Sequence, residues 1–320
     1  MSKFFRLIKN ELFKIFIRKS TWVMYLSLAA LLLFGAFLTR TFDELNSTYT
    51  DNWREELQEE NKQLEEEIAE VGDDDFIISY NGEQIAKNNY YLENDIRPLN
   101  YGAWQFTLDN VGLVSVISLF TIIIGAGIIS NEYNWGTLKL LLIRPVSRTT
   151  VLFSKFTSVF VFGLITMIFL MIFSLLTGTI FFGFEGINPK IVISTAEGFN
   201  AVPIISELLS SYGYSIVNLI MMTTLAFMIS TIFRNSSLAI GVGIFLLMGG
   251  NIIVSILSRY DWVKYILFAN IDLQQYKTGN VLVEGMTLGF SITILIVHFL
   301  AFLVVSWLVF TKRDVVATGE

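Results

Sequence analysis

Residues 111–130 read VGLVSVISLFTIIIGAGIIS, and residues 131–148, which follow at once, read NEYNWGTLKLLLIRPVSR. The first string holds no charged residue. At about 20 residues it has the length an α-helix needs to cross a hydrocarbon core of about 30 Å. The second string is too short and too charged to cross, yet too apolar for an idle connection. Leu138, Leu140, Leu141, Leu142 and Ile143 stand between Gly136 and Pro145, bracketed by Lys139, Arg144 and Arg148. Glycine and proline punctuate a backbone, so Thr137 to Ile143 is expected to form a short helix. Its leucines must be buried in something, either interfacial lipid or the groove of a partner.

Working outward, composition places the rest of the chain in the same environment. Over 320 residues, 53% are hydrophobic and 16% charged, and the mean hydropathy is +0.60, outside the range of soluble globular domains. Apolar runs at 21–38, 111–130, 157–182, 215–233, 236–257 and 287–310 define an all-α polytopic membrane protein with six transmembrane helices. Only Arg234 and Asn235 separate the fourth and fifth runs, so that turn is tight. The organisation expected is an amphipathic helix at 1–20, a first span at 21–39, an acidic insertion at 40–108 and five further spans in 109–320. An even number of spans puts both termini on one side.

Charge chooses the side. Residues 40–108 hold 17 Asp and Glu against 5 Lys and Arg, a local balance of -12 within a net charge of -6. With the N-terminus inside, 13 of the 22 basic residues fall in cytoplasmic segments, beside only Glu11, Glu132, Asp314 and Glu320. The positive-inside rule therefore puts both termini and the 131–148 stretch in the cytoplasm, and the acidic insertion outside. Residues 2–19 place Phe5, Ile8, Leu12 and Phe16 on one face among six basic residues, the pattern of a helix lying in the headgroup plane.

Within the insertion, Trp53, Leu57, Leu64, Ile68 and Val71 trace one apolar stripe, so 52–71 is expected to be helical. Glu60 and Glu67 sit where a coiled coil would carry leucine. Asp73, Asp74 and Asp75 lack the spaced ligands and glycine turn of a calcium loop. Residues 183–209 and 258–285 read as two smaller outside loops.

Motifs for chemistry are scarce. There is no cysteine, and His298 is the one histidine, so thiol and imidazole chemistry have almost nothing to work with. The sequence contains no phosphate-binding loop, no zinc-binding His-Glu-x-x-His and no nucleophile elbow. It cannot hydrolyse ATP by the usual P-loop route, and no metal site is expected. Polar residues inside the spans are few. Asn218, Asn251 and His298 are candidates for a substrate path, with interhelical hydrogen bonding as the bland reading of each. Gly125, Gly127, Gly241, Gly243, Gly249 and Gly250 read as points of close helix packing.

The order Glu132, Gly136-Thr137-Leu138, Pro145-Val146-Ser147-Arg148 and Lys155, at the inner end of the second of six spans, resembles the coupling-helix region of type-2 ABC exporter permeases. The basic helix at 2–19 resembles the interfacial elbow helix that opens them. The resemblance covers essentially the whole membrane part. It implies a permease subunit that binds no cofactor itself and docks an ABC ATP-binding subunit, two copies per assembly, which holds ATP and magnesium. It further implies a second permease, homodimeric or related, in contact with membrane lipids and no nucleic acid. Carried onto this sequence, the docking surface is Glu132, Gly136, Thr137, Leu138, Leu141, Pro145 and Ser147, with Arg148 and Lys155 beside it. The chain departs from permeases for polysaccharide carriers in the length of its 40–108 insertion, which leaves peptide, antibiotic or lipid-like cargo in a bacterial plasma membrane. A rival reading from another class is a membrane sensor or scaffold, whose acidic outer domain binds a ligand while 131–148 recruits a signalling partner.

Overall fold

The computed structural model describes residues 3–42, 49–71, 74–134, 146–233 and 235–312. Six of its helices are long and apolar enough to cross a membrane, and sheet is confined, among the described residues, to one two-stranded antiparallel ribbon. The protein is an all-α polytopic membrane protein.

Helix α1 (Lys3–Phe16) is followed by α2 (Lys19–Thr41). The corner between them closes on itself. Thr21 Oγ1 donates to the carbonyl of Ile15 at 2.6 Å and Trp22 Nε1 to that of Phe16 at 2.9 Å, satisfying carbonyls that the end of α1 leaves free. The face that α1 buries is Ile8, Glu11 and Ile15, with Leu12 and Phe16 flanking and Phe5 59% exposed. That stripe is turned from the one expected on apolar spacing, because α1 packs against another helix of the chain and sets a carboxylate into the contact.

The insertion is a helical hairpin, α3 (Trp53–Val71) and α4 (Asp75–Glu93). Asp74 caps α4 by accepting from the Phe76 and Ile77 amides. A polar ladder joins the two helices, in which Asn88 Nδ2 donates to Asn61 Oδ1, Asn61 Nδ2 to Asn89 Oδ1 and Asn81 Nδ2 to Glu67 Oε2, each at 2.9 Å. At its base Trp53, Leu57 and Tyr91 pack on the ribbon through Val192, Phe199 and Ala201.

The second span is built in three pieces. Helix α5 (Ala103–Asp109), a 3₁₀ turn (Asn110–Leu113) and α6 (Val114–Asn134) form one apolar column. Helix α7 (Arg148–Phe182) has 35 residues. At 1.5 Å per residue it is about 52 Å long, well beyond the hydrocarbon core, so its first turns lie in the interfacial layer. Strands β1 (Lys190–Thr195) and β2 (Gly198–Pro203) pair from Lys190 opposite Pro203 to Thr195 opposite Gly198. Helices α8 (Ile204–Phe233) and α9 (Ser236–Leu257) follow, with the Asn235 side chain accepting from the Leu238 amide to start α9. Short helices α10 (Leu267–Asn270) and α11 (Gln275–Thr278) precede α12 (Leu288–Lys312).

The core lies between α6, α7 and α8. Thr223 Oγ1 donates to Thr121 Oγ1 at 3.1 Å and Ser230 Oγ to the Ala126 carbonyl at 2.5 Å, hydrogen bonds between helices that lipid cannot supply. Helices α2, α9 and α12 bury little of their surface and turn large apolar side chains outward, as lipid-facing helices do. The ends of the bundle differ. One carries the α3–α4 hairpin and the ribbon, and is called the hairpin end below; the other carries α1 and the start of α7, and is called the basic end.

Of the glycines read as packing points, Gly243 and Gly250 have that role. A Cβ on Gly243 would meet Ile122 at 2.6 Å and one on Gly250 the Phe268 ring at 2.3 Å. Gly241 has nothing within 4 Å, Gly125 meets Val159 at ordinary contact, and the nearest groups to Gly127 and Gly249 belong to their own helices. Gly178, on which the sequence reading is silent, packs closely too, since a Cβ there would meet the Ala103 backbone at 2.8 Å.

Candidate functional site

Polar side chains gather at each end of the described bundle. At the basic end Glu11 of α1, Glu132 near the end of α6 and Lys155 of α7 meet inside the protein. Lys155 is 1% exposed and donates to Glu11 Oε2 at 2.8 Å and to Glu132 Oε1. Lys14, half exposed, closes the group by donating to Glu11 Oε1 at 2.7 Å and Glu132 Oε1 at 3.3 Å. The cluster of two carboxylates and two ammonium groups is neutral as a whole.

Apolar side chains in place of the whole cluster would hold these helices together about as well, so the cluster is not there for simple adhesion. A buried ion pair returns little net stability, but removing one partner costs about 3–5 kcal/mol because the other charge stays buried alone. Its effect is to hold three elements in one register. Ser158 Oγ adds a bond to the Ile8 carbonyl at 3.3 Å. Burial alone would raise the Glu11 carboxyl, but Lys155 and Lys14 overcome it and hold the group below its ordinary value. For Lys14 burial pulls down, and Glu11 with Glu132 prevail and hold it above its ordinary value. Glu132 Oε2 is buried with no hydrogen-bond partner among the described residues.

The cluster flanks the stretch on which the sequence reading turns. Gly136, Thr137, Leu138, Leu141 and Pro145 lie outside the described residues. Ser147 caps α7 by accepting from the Thr150 amide at 3.1 Å. Arg148 Nη1 donates to the Thr311 carbonyl at 3.1 Å, and Trp307 Nε1 to Thr149 Oγ1 at 3.0 Å, tying the start of α7 to the end of α12. The expectation that Glu132 and Lys155 present their side chains to a partner differs from their observed placement. Both are turned inward, Lys155 onto Glu11 and Glu132 and Glu132 onto Lys155 and Lys14, because a charge two turns into α7 finds its counter-ions within the chain. Glu11 and Lys14 were not anticipated. The available signal was Glu11 itself, the one acid in an otherwise basic helix, one turn from Ile8 and Ile15.

At the hairpin end a cavity of about 380 Å³ opens between α6, α8, α9 and the 271–274 loop. Asn218 and Asn251 both line it. Asn218 lies 15 residues before Phe233 and Asn251 15 residues after Ser236, so each stands about 22 Å from the tight turn joining α8 to α9. Equal spacing from one turn brings the two to one height. Asn218 Oδ1 is buried with no hydrogen-bond partner among the described residues. Higher in the same wall Glu207 accepts from Ser211 Oγ at 3.2 Å and pairs with Lys277, which also donates to Ser210 Oγ at 3.2 Å. Asp272, exposed at the rim, accepts from the Gln274 amide at 2.9 Å. A second cavity of about 150 Å³ shares Asn251 and Asp272 with the first.

His298 is absent from the lining of both cavities. Its Nδ1 lies 2.9 Å from the Ile294 carbonyl, one turn back in α12, and its ring meets Phe302 edge to face. Among the described residues no group of three or more His, Asp or Glu side chains is placed to hold a metal ion.

Six apolar helices around a core crossed by interhelical hydroxyl bonds define an integral membrane protein. The chain belongs to the family described as "Protein of unknown function (DUF2705)", whose model matches residues 74–316. Two relatives from Bacillus subtilis (strain 168) are similar to it. "Uncharacterized protein YhcI" is 41% identical over 313 residues, covering 97% of this chain and 98% of that protein. "Uncharacterized membrane protein YdbK" is 35% identical over 203 residues, covering 62% of this chain and 78% of that protein.

Proposed function

We propose that this chain is the membrane-spanning permease subunit of an ATP-driven exporter, and that residues 131–148 dock a separate ATP-binding subunit holding ATP and magnesium. Charge partition supports an orientation with both termini in the cytoplasm of a bacterial plasma membrane. The observation that carries the reading is the cluster of Glu11, Lys14, Glu132 and Lys155. Glu132 precedes the leucine-rich segment and Lys155 follows it, and both are bonded to α1, Glu132 through Lys14 and Lys155 through Glu11. A force applied to the segment between them therefore reaches α6, α7 and α1 together, which is what coupling to a motor requires of this end. Large apolar side chains on α2, α9 and α12 leave faces on which a second permease, alike or related, can pack within the bilayer.

The test is co-expression with candidate ATP-binding subunits from the same organism. The full chain is expected to co-purify with one of them and to stimulate its ATPase activity, with none of its own. Leu138→Asp combined with Leu141→Asp is expected to abolish co-purification while leaving the chain folded in the membrane. Retention of the partner by that variant would refute the docking assignment.

One observation favours the sensor or scaffold reading. Phe76, at 78% exposure, and Tyr80, at 56%, stack on the end of the acidic hairpin away from its base, a surface of the kind that binds ligands. A hairpin-deleted chain that still folds and still stimulates its motor would count against that alternative.

A further inference from the structure

The cleft between α6, α8 and α9 carries charges of one sign in its walls. Its lining includes two carboxylates, Glu207 and Asp272, and neither lysine nor arginine. Glu207 is matched by Lys277, which stands behind it. Asp272 has no cation partner among the described residues, and its one bond comes from a backbone amide. Deeper in the cleft, the Oδ1 of Asn218 is an acceptor to which nothing among the described residues donates. The site thus runs from an unmatched negative charge at the rim to an unfilled acceptor below. A ligand that brings hydrogen-bond donors and positive charge satisfies both, whereas an anion meets two carboxylates.

One wall belongs to a helix that faces lipid. Asn251 is exposed on α9 beside Ile252, itself 62% exposed, and Met248 one turn earlier is 71% exposed. A polar side chain set in an apolar, lipid-facing surface at membrane depth is costly unless something polar meets it. The exposed apolar strip beside it offers a path for a hydrocarbon chain whose head group turns into the cleft.

We propose that this cleft binds the ammonium or guanidinium head of a cationic amphiphile, held by Asp272, Asn218 and Asn251, with its apolar tail lying along α9 at Met248 and Ile252. As the cargo class of an exporter, the assignment rests on the permease reading. As a binding site it belongs to this chain alone and is tested without any motor.

The full chain, purified and placed in phosphatidylcholine nanodiscs, is exposed to dodecylammonium bearing a diazirine near the end of its chain, irradiated and mapped by peptide mass spectrometry. Adducts are expected on α9 around Met248 to Ser255. Unlabelled dodecylammonium should suppress them, and dodecyl sulfate at equal concentration should not. Asp272→Asn and, separately, Asn251→Leu are each expected to weaken labelling about ten-fold, the scale of one lost hydrogen bond to a charged group. Asp272 is exposed, so its substitution leaves the bundle intact, and an unchanged size-exclusion profile checks this. Competition by phosphatidylethanolamine or by a short lysine-leucine peptide supports the site, and which of them competes separates a lipid source from a peptide source. Equal suppression by dodecyl sulfate, labelling spread evenly over α2 and α12, or undiminished labelling of both variants would overturn the assignment. Co-purification of a motor with a chain that fails to bind the probe would leave the permease reading standing and remove only this one. Probe binding with no motor partner would do the reverse.

Discussion

Lys155 and Glu11 illustrate how far a single charge can be from its apparent role. By sequence Lys155 is a base at the foot of a span, and Glu11 an isolated acid in a basic helix; in the fold they are partners 2.8 Å apart. Because the folded chain holds the Glu11 carboxyl below its ordinary value of 4.5, the cluster contributes stability above that value and loses it as pH falls through the folded value. Because Lys14 is held above its ordinary 10.5, its contribution is complete below that value and disappears as pH rises through the folded value. Between those limits α1 is expected to stay docked. Hydrogen exchange of the α1 amides should rise steeply on acidification below about pH 4.5 in the natural sequence. In Glu11→Gln that acid step should be gone, with α1 exchanging faster at neutral pH because Lys155 has lost a counter-ion. At this scale the sequence shows which residues are charged or polar but not whom they meet, since Glu11 and Lys155 are 144 residues apart.

Among elements, the spans were legible because hydropathy and length suffice to define them. The fifth was read at its observed bounds, Ser236–Leu257, and the sixth within two residues of them. The third and fourth were read short, since α7 and α8 begin with turns in which Arg148 and Lys155, or Glu207, Ser210 and Ser211, interrupt the apolar run. Helix α3 showed its stripe, but α4 did not. Its Asn81, Gly82, Asn88 and Asn89 are poor helix formers, and the helix is held by pairing of those same asparagines with α3. The β1–β2 ribbon went unread among turn residues and prolines. Close packing between elements gives a prediction. Gly178→Ala would drive a methyl group into the Ala103 backbone, which is held by the bond from its own amide to the Gly183 carbonyl at 3.1 Å. A destabilisation of about 1–3 kcal/mol is expected. Gly241→Ala, with nothing within 4 Å, should be neutral or slightly stabilising. Thermal melting of the two variants in the same nanodiscs checks the contrast.

For the whole molecule, the absence of native cysteine makes sidedness directly measurable. Ser79→Cys, on the exposed surface of α4, is expected to react with a membrane-impermeant maleimide in intact cells. Lys139→Cys, in the leucine-rich segment, is expected to react only after permeabilisation. Reaction of Lys139→Cys in intact cells would put that segment on the wrong side for a nucleotide-driven partner. By itself the sequence determined that this protein crosses a membrane six times as helices, where its acidic insertion falls and how its basic residues are divided among the segments. Those properties are sums over local composition, and an apolar solvent enforces them segment by segment. Only the tertiary structure decided that Lys155 faces inward to Glu11 and Glu132, that Asn218 and Asn251 share one cleft and that His298 stands apart. Such pairings depend on helix rotation and on which helices are neighbours, and both are set by packing among residues far apart in the chain.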